Sequence, residues 1–149
     1  MAIQPIFDPL KYQGRWYEIA RYDFYFENNC NGAIADYKYD TSKNILYITN
    51  TCLKDNISID TKKAVGIPIN QSMSHFTVQF DNNPIAGDYR VIWTDYLNFS
   101  IVSTKNKDLL WILSRTETMS PLIIPNLFKL LEYFGFDPYK LKFNKNVIN

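Results

Sequence analysis

The sequence predicts an all-β domain, an up-and-down barrel or a sandwich, with one helix late in the chain. Three observations carry this. Eight short β-type runs follow one another between Asp-, Asn- and Ser-rich breaks. Along several runs, bulky apolar residues alternate with polar ones, which gives a strand an inner and an outer face. Near the end, apolar residues switch to helical spacing. At 149 residues this is one domain, 1–149, long enough to bury a substantial core.

The first run is WYEIARY, from Trp16 to Tyr22. In the second, AIADYKY, Ala33, Ala35 and Tyr37 form a one-sided set. Asp40-Thr41-Ser42-Lys43-Asn44 is a turn signal, and ILYITNTCL follows it. A turn about these residues sets Tyr37 opposite Ile45 and Cys30 opposite Cys52, with both cysteines on the outward parity. A cross-strand disulfide and two free thiols both fit that register. The fourth run, ISIDTKKAVGIPI, holds Lys62 and Lys63, read as a solvated face. In SHFTVQF, Phe76, Val78 and Phe80 alternate with His75, Thr77 and Gln79, so His75 is expected at the surface. In DYRVIWTDY, Tyr89, Val91 and Trp93 share one parity, although Ile92 breaks the polar alternation. FSIVST and LLWILSRT complete the set; Leu109, Trp111 and Leu113 share a face in the last.

Ser120-Pro121 reads as an N-cap followed by proline at the first helical position. Leu127, Leu130, Leu131 and Phe134 then recur at helical spacing, and Gly135 is the expected stop. Pro125 lacks a backbone donor, so residues 121–124 are expected as a loose first turn, with regular helix from Pro125. One apolar face implies that the helix lies against the outside of the sheet.

Composition removes several function classes. A net charge of +1, with Lys and Arg spread along the chain, gives no electrostatic case for nucleic acid. No run is long and apolar enough to span a bilayer as a helix. The opening MAIQPIFDPLKYQ lacks a charged segment followed by an apolar one, so the chain as given is expected to carry no secretion signal. A cytosolic protein and a trimmed secreted or periplasmic form both fit. His75 is the only histidine, which removes any metal site built on two. Aromatic residues make up 16% of the chain, a share that suits either a packed core or a lined pocket.

Three separated elements then line up. Gly14-Arg15-Trp16 stands just before the first strand, Thr94-Asp95-Tyr96 closes the sixth, and Arg115 ends the eighth. Arg115 over the Trp16 indole would contribute about 1–2 kcal/mol and tie the first and last strands together. This pattern resembles the three signature regions of the lipocalin family. GRWYEIARYDFYFE, DYRVI, LLWILSRT and YFGFDPYKL are similar to the subgroup of bacterial lipocalin and apolipoprotein D, from Asp8 to Phe143. The resemblance implies an eight-stranded antiparallel up-and-down β-barrel, the lipocalin or calycin fold, open at one end. Trp16 and Arg115 would lie at the closed end, with a short helix around Pro9–Gln13 beneath it and the C-terminal helix packed outside. The family binds small hydrophobic molecules, and the subgroup binds fatty acids, lysophospholipids and related amphiphiles.

Parity and the resemblance together give the ligand candidates: Ala33, Ala35, Tyr37, Tyr47, Phe76, Val78, Phe80, Tyr89, Val91, Trp93, Ser100, Leu109 and Trp111. Ala35 is expected where a barrel leaves space for a ligand. The cavity expected is apolar and about 300–1,000 Å³. Phe24, Tyr25 and Phe26 fall in the loop after the first strand, the expected lip, where rings either fold over the mouth or touch a membrane. The partner expected is a small hydrophobic ligand, bound without chemistry and without a cofactor or metal. Two other readings compete: a lipocalin-fold enzyme of isomerase type, disfavoured because both cysteines are expected to point outward, and a haem or tetrapyrrole carrier, disfavoured by the parity of His75. Monomer and homodimer are both compatible with the composition.

Overall fold

The structure is a computed structural model and describes residues 7–22, 30–69, 74–81, 87–145 and 147–149. The expected lip residues Phe24, Tyr25 and Phe26 lie outside the described residues. The strands are β1 (Gly14–Tyr22), β2 (Gly32–Asp40), β3 (Ile45–Lys54), β4 (Ile57–Pro68), β5 (His75–Phe80), β6 (Gly87–Thr94), β7 (Phe99–Ser103) and β8 (Leu110–Ser114). Each pairs antiparallel with the next, and β1 pairs with both β8 and β2, so the sheet closes on itself. This is the expected all-β ring. The ends of β1 and β8 near Trp16 and Arg115 form its floor, and the chain leaves the floor along β1 and β3.

A one-turn helix, α1 (Pro9–Tyr12), precedes β1. Asp8 caps it by accepting a hydrogen bond from the Leu10 amide at 3.0 Å. The late helix, α2 (Ile124–Tyr133), follows a 3₁₀ turn at Pro121–Ile123 that Ser120 caps, so the loose entry forced by Pro125 is present. Gly135 adopts φ +90°, and the amides of Gly135 and Phe136 bond back to Glu132 and Leu131, a Schellman ending. Leu127, Leu131 and Phe134 bury against Ile19, Ile92, Ile101 and Ile112 on the outer wall. The molecule thus has two cores, one inside the ring and one between its outer wall and α2.

The structure corrects the expected faces at three places. Asp40 pairs with Ile45 across a four-residue turn, where Asp40 accepts the Ser42 and Lys43 amides and Asn44 takes φ +55°. Tyr37 therefore faces Ile48, not Ile45, a shift of three residues. An odd shift exchanges the faces of β3. Leu46 and Ile48 point inward, and Tyr47 is exposed on the outer wall. Cys52 comes to lie opposite Ala33, at inner-face positions, and not on the outward parity. It is joined by a disulfide to Cys30, which lies just before β2, with Cα atoms 5.5 Å apart.

The second correction is a bulge between Val91 and Trp93. It puts Trp93 with Ile92 and Ile101 in the outer core, away from the barrel interior. The third is a bulge between Glu18 and Ala20, which simple alternation from Trp16 would place on one face. Glu18 stays on the inner face, Ile19 and Ala20 join the outer core, and Arg21 returns inward opposite Trp111. A ninth strand, β9 (Leu141–Phe143), pairs with Ala20–Tyr22 of β1, and the Lys145 amide bonds to the Asn31 carbonyl beside β2. The C-terminal segment therefore fills the gap where β1 and β2 diverge.

Candidate ligand-binding site

The floor is built on Arg115. Its guanidinium carbon lies 3.8 Å from the Trp16 ring centroid. Its nitrogens donate to the carbonyls of Tyr96 (2.9 Å), Arg15 (3.1 Å), Lys11 (3.0 Å) and Tyr12 (3.2 Å). The Trp16 indole donates to the Tyr12 carbonyl at 2.9 Å. Gly14 sits at φ +104°, and a Cβ there would come within 3.2 Å of Arg115 Nη1. Glycine thus meets both a backbone and a space requirement. The second signature region joins at Tyr96, whose hydroxyl accepts the Asp8 amide at 3.0 Å. Asp95 holds the turn by accepting the amides of Asn98 and Phe99. Burial works to raise its pKa, but these donors outweigh it and the carboxyl lies below its ordinary value. Thr94 donates to the Phe99 carbonyl and accepts the Tyr96 amide.

Above the floor, the inner wall changes character with height. At the base Leu46, Ile48, Ala64, Phe76, Val78, Val91 and Val102 are buried. Two residues higher on the same faces, the wall opens. Ala33, Asn50, Phe80, Tyr89 and Trp111 are half-buried, and Lys62 and Gly87 are exposed. Ala35 is nearly buried, paired with Trp16 in the inner core cluster. Ser100 is buried at the floor, where its hydroxyl lies 2.8 Å from that of Tyr12. Leu109 stands half-buried just before β8. Of the sequence candidates, Tyr47 and Trp93 fall on the outer wall, while Ala33, Phe80, Tyr89 and Trp111 stand half-buried higher on the inner wall.

An aromatic column rises through the interior. Tyr12 contacts Trp16 and Tyr37, each with ring centroids 5.1 Å apart. The Tyr37 and Tyr89 hydroxyls bond to each other, and Tyr89 stacks on Trp111 at 6.3 Å. Burial pushes the Tyr37 phenol up to about 12. It also holds Tyr12 and Tyr89 well above the usual value. All three phenols are therefore neutral near pH 7. They offer hydroxyls, and no charge, to whatever lies above them.

A polar cluster that sequence reading missed lies on the β1 side. Glu18 (5% exposed) and Arg21 (2%) form an ion pair at 3.4 Å. Asn144 completes it, accepting from Arg21 at 2.7 Å and donating to the Glu18 carboxylate at 2.7 Å. Their charges cancel within the wall. The signal was the polar pair in Glu18-Ile19-Ala20-Arg21, whose three-residue spacing fits one face only across a bulge. On the outer wall, His75 Nε2 meets Asp88, which also accepts from Arg90 at 3.0 Å. Lys62 pairs with Asn50 at inner-face positions, and Lys63 with Thr49 outside.

Comparison with known proteins agrees with this geometry. A family model described as a lipocalin-like domain matches residues 7–146. The chain is 31% identical over 137 residues to the outer membrane lipoprotein Blc of Citrobacter freundii, covering 91% of this chain and 77% of that protein. It is 28% identical over 146 residues to apolipoprotein D of Mus musculus, covering 93% and 77%. Among solved structures, insecticyanin from the tobacco hornworm Manduca sexta aligns with a TM-score of 0.73 at 21% identity, covering 97% of this chain and 85% of that one. Lobster apocrustacyanin A1 aligns with a TM-score of 0.70 at 16% identity, covering 91% and 77%. These two likenesses establish the fold. With the family match running over nearly the whole chain, the chain belongs to the lipocalin family, whose members bind small hydrophobic molecules.

Proposed function

We propose that this lipocalin is a non-enzymatic carrier of acyl amphiphiles, the class of fatty acids and lysophospholipids, held tail-down in the upper barrel. The observation that carries the reading is the gradient on the inner wall. It is closed and apolar at the floor, and opens to Ala33, Phe80, Tyr89 and Trp111 above. Burying about ten methylenes there contributes roughly 8 kcal/mol before entropy losses. An acyl chain therefore needs no strong polar contact, and its head group stays in water at the rim. The groups a catalyst would use are committed elsewhere. Cys30 and Cys52 share a disulfide, His75 lies on the outer wall, and Glu18 is tied to Arg21 and Asn144. These placements support carriage over an isomerase or a histidine-ligated haem carrier.

Native mass spectrometry of gently purified protein tests this reading, followed by delipidation and addition of a long-chain fatty acid or a lysophospholipid. One acyl lipid per barrel is the expected result. Delipidated protein that takes up neither compound would overturn it, as would a copurified coloured ligand of tetrapyrrole type.

A further inference from the structure

The β3–β4 hairpin overruns the ring. β3 and β4 are the longest strands, at 10 and 12 residues. β5 pairs with β4 only over Ala64–Pro68, so residues 57–62 have a ladder partner on one side alone among the described residues. Its tip, from Ile57 to Ile59, stands at the open end, beyond the Cys52–Asp60 pair. It carries Ile57 and Ile59, 67% and 50% exposed. A protruding strand edge with bare isoleucines is a liability in water unless something covers it.

The tip is held in place. Asn31 and Asp55 exchange two hydrogen bonds of 2.9 Å, and Lys145 Nζ lies 2.7 Å from the Asp55 carboxylate. These bonds hold the tip that carries the exposed Ile57 and Ile59. Around them stand Lys54, Lys62, Lys63 and Lys145, against Asp55 and Asp60. Four lysines and two aspartates leave +2 on this tip, while the whole chain carries +1.

We infer that this hairpin tip docks on an anionic lipid bilayer. Isoleucine side chains fit the boundary between head groups and acyl chains, and flanking lysines sit at the level of lipid phosphates. The position gives docking a use, because an amphiphile leaving the bilayer would meet the mouth without crossing open water. The docking surface stands whether or not the barrel holds an acyl chain, and its test reads docking alone.

The experiment is flotation of the full chain with phosphatidylcholine vesicles, with and without phosphatidylglycerol. Flotation with the anionic vesicles is expected, roughly tenfold stronger than with phosphatidylcholine alone. Ile57→Ser with Ile59→Ser should weaken it by about tenfold or more. Lys54→Gln with Lys63→Gln should remove most of the preference for anionic lipid. Ile67→Ser, a 50% exposed isoleucine at the other end of β4, should leave flotation unchanged. Each variant is compared at matched circular dichroism and melting temperature. Wild-type protein that floats with neither vesicle overturns the inference, as does equal loss in Ile67→Ser. Self-association in lipid-free solution that the Ile57/Ile59 variant abolishes, without vesicle binding, would assign the tip to a second copy instead.

Discussion

Arg115 shows how much one side chain can close. Four backbone carbonyls and one indole face converge on it, and they belong to α1, the start of β1 and the turn after β6. Arg115→Ala should cost about 2–4 kcal/mol, since it removes a cation–π contact and charge-assisted hydrogen bonds. Melting should fall by roughly 5–15 °C in a chain of this size. Ligand affinity, read below that transition, should stay within about twofold; a large affinity loss at unchanged melting would put Arg115 in the binding site. The inner phenols make a separate prediction. Tyr37 titrates at about 12 when folded, against about 10 when unfolded. The folded chain holds this proton more tightly, so the stability it contributes is complete below pH 10 and is lost as pH rises from 10 toward 12. Tyr12 and Tyr89 shift in the same direction. A spectrophotometric titration should therefore find the two buried phenols, Tyr12 and Tyr37, silent until the barrel unfolds. Smooth titration of both with the fold intact would contradict the burial of this column.

Strands were legible where polarity alternates and illegible where it does not. Phe76, Val78 and Phe80 declared their face because His75, Thr77 and Gln79 lie between them. Ile45-Leu46-Tyr47-Ile48 is apolar throughout, so either parity satisfied the pattern, and the turn geometry decided against Tyr47. Trp93 was lost to a bulge whose only trace was the apolar Ile92 beside it. β9 is too short, at three residues, to alternate visibly. Its importance lies in what it carries, since Asn144 follows it and holds the Glu18–Arg21 pair. Arg21→Met should cost about 3–5 kcal/mol by leaving Glu18 buried without its countercharge. Chemical denaturation checks this, and a cost under 1 kcal/mol would mean that water already reaches the pair. The disulfide is also an element-scale constraint, linking the entry to β2 with the top of β3. Replacing both cysteines by serine should cost about 3 kcal/mol. It should leave fatty-acid affinity within a few-fold, as the wall below keeps its shape; abolished binding at retained fold would make the disulfide part of the mouth.

At the scale of the molecule, one closed sheet serves two packing jobs. Its outer wall takes α2, and its inner wall takes the floor aromatics. The signature residues announced the closed end in the sequence because each answers a local demand: a glycine at positive φ, an indole, a turn aspartate and an arginine. The boundary between filled and open interior was not legible, because it depends on how neighbouring strands stagger. Ala35 illustrates this. Small residues suggested empty space there, but Ala35 is paired with Trp16 and lies in the inner core cluster. Ala33 lies two residues higher and is half-buried, so on the carrier reading a new ring there would meet the ligand.

Displacement of a fluorescent long-chain fatty acid from wild-type protein and from Ala33→Trp, with chemical denaturation on the same samples, therefore tests the carrier reading most directly. Wild-type protein should bind, and Ala33→Trp should bind at least about tenfold more weakly while losing no more than roughly 1 kcal/mol of stability. A filled core would instead be overpacked by about 1–3 kcal/mol. Wild-type protein that fails to bind, or an Ala33→Trp protein that binds as wild type does, would contradict an acyl chain in the upper barrel.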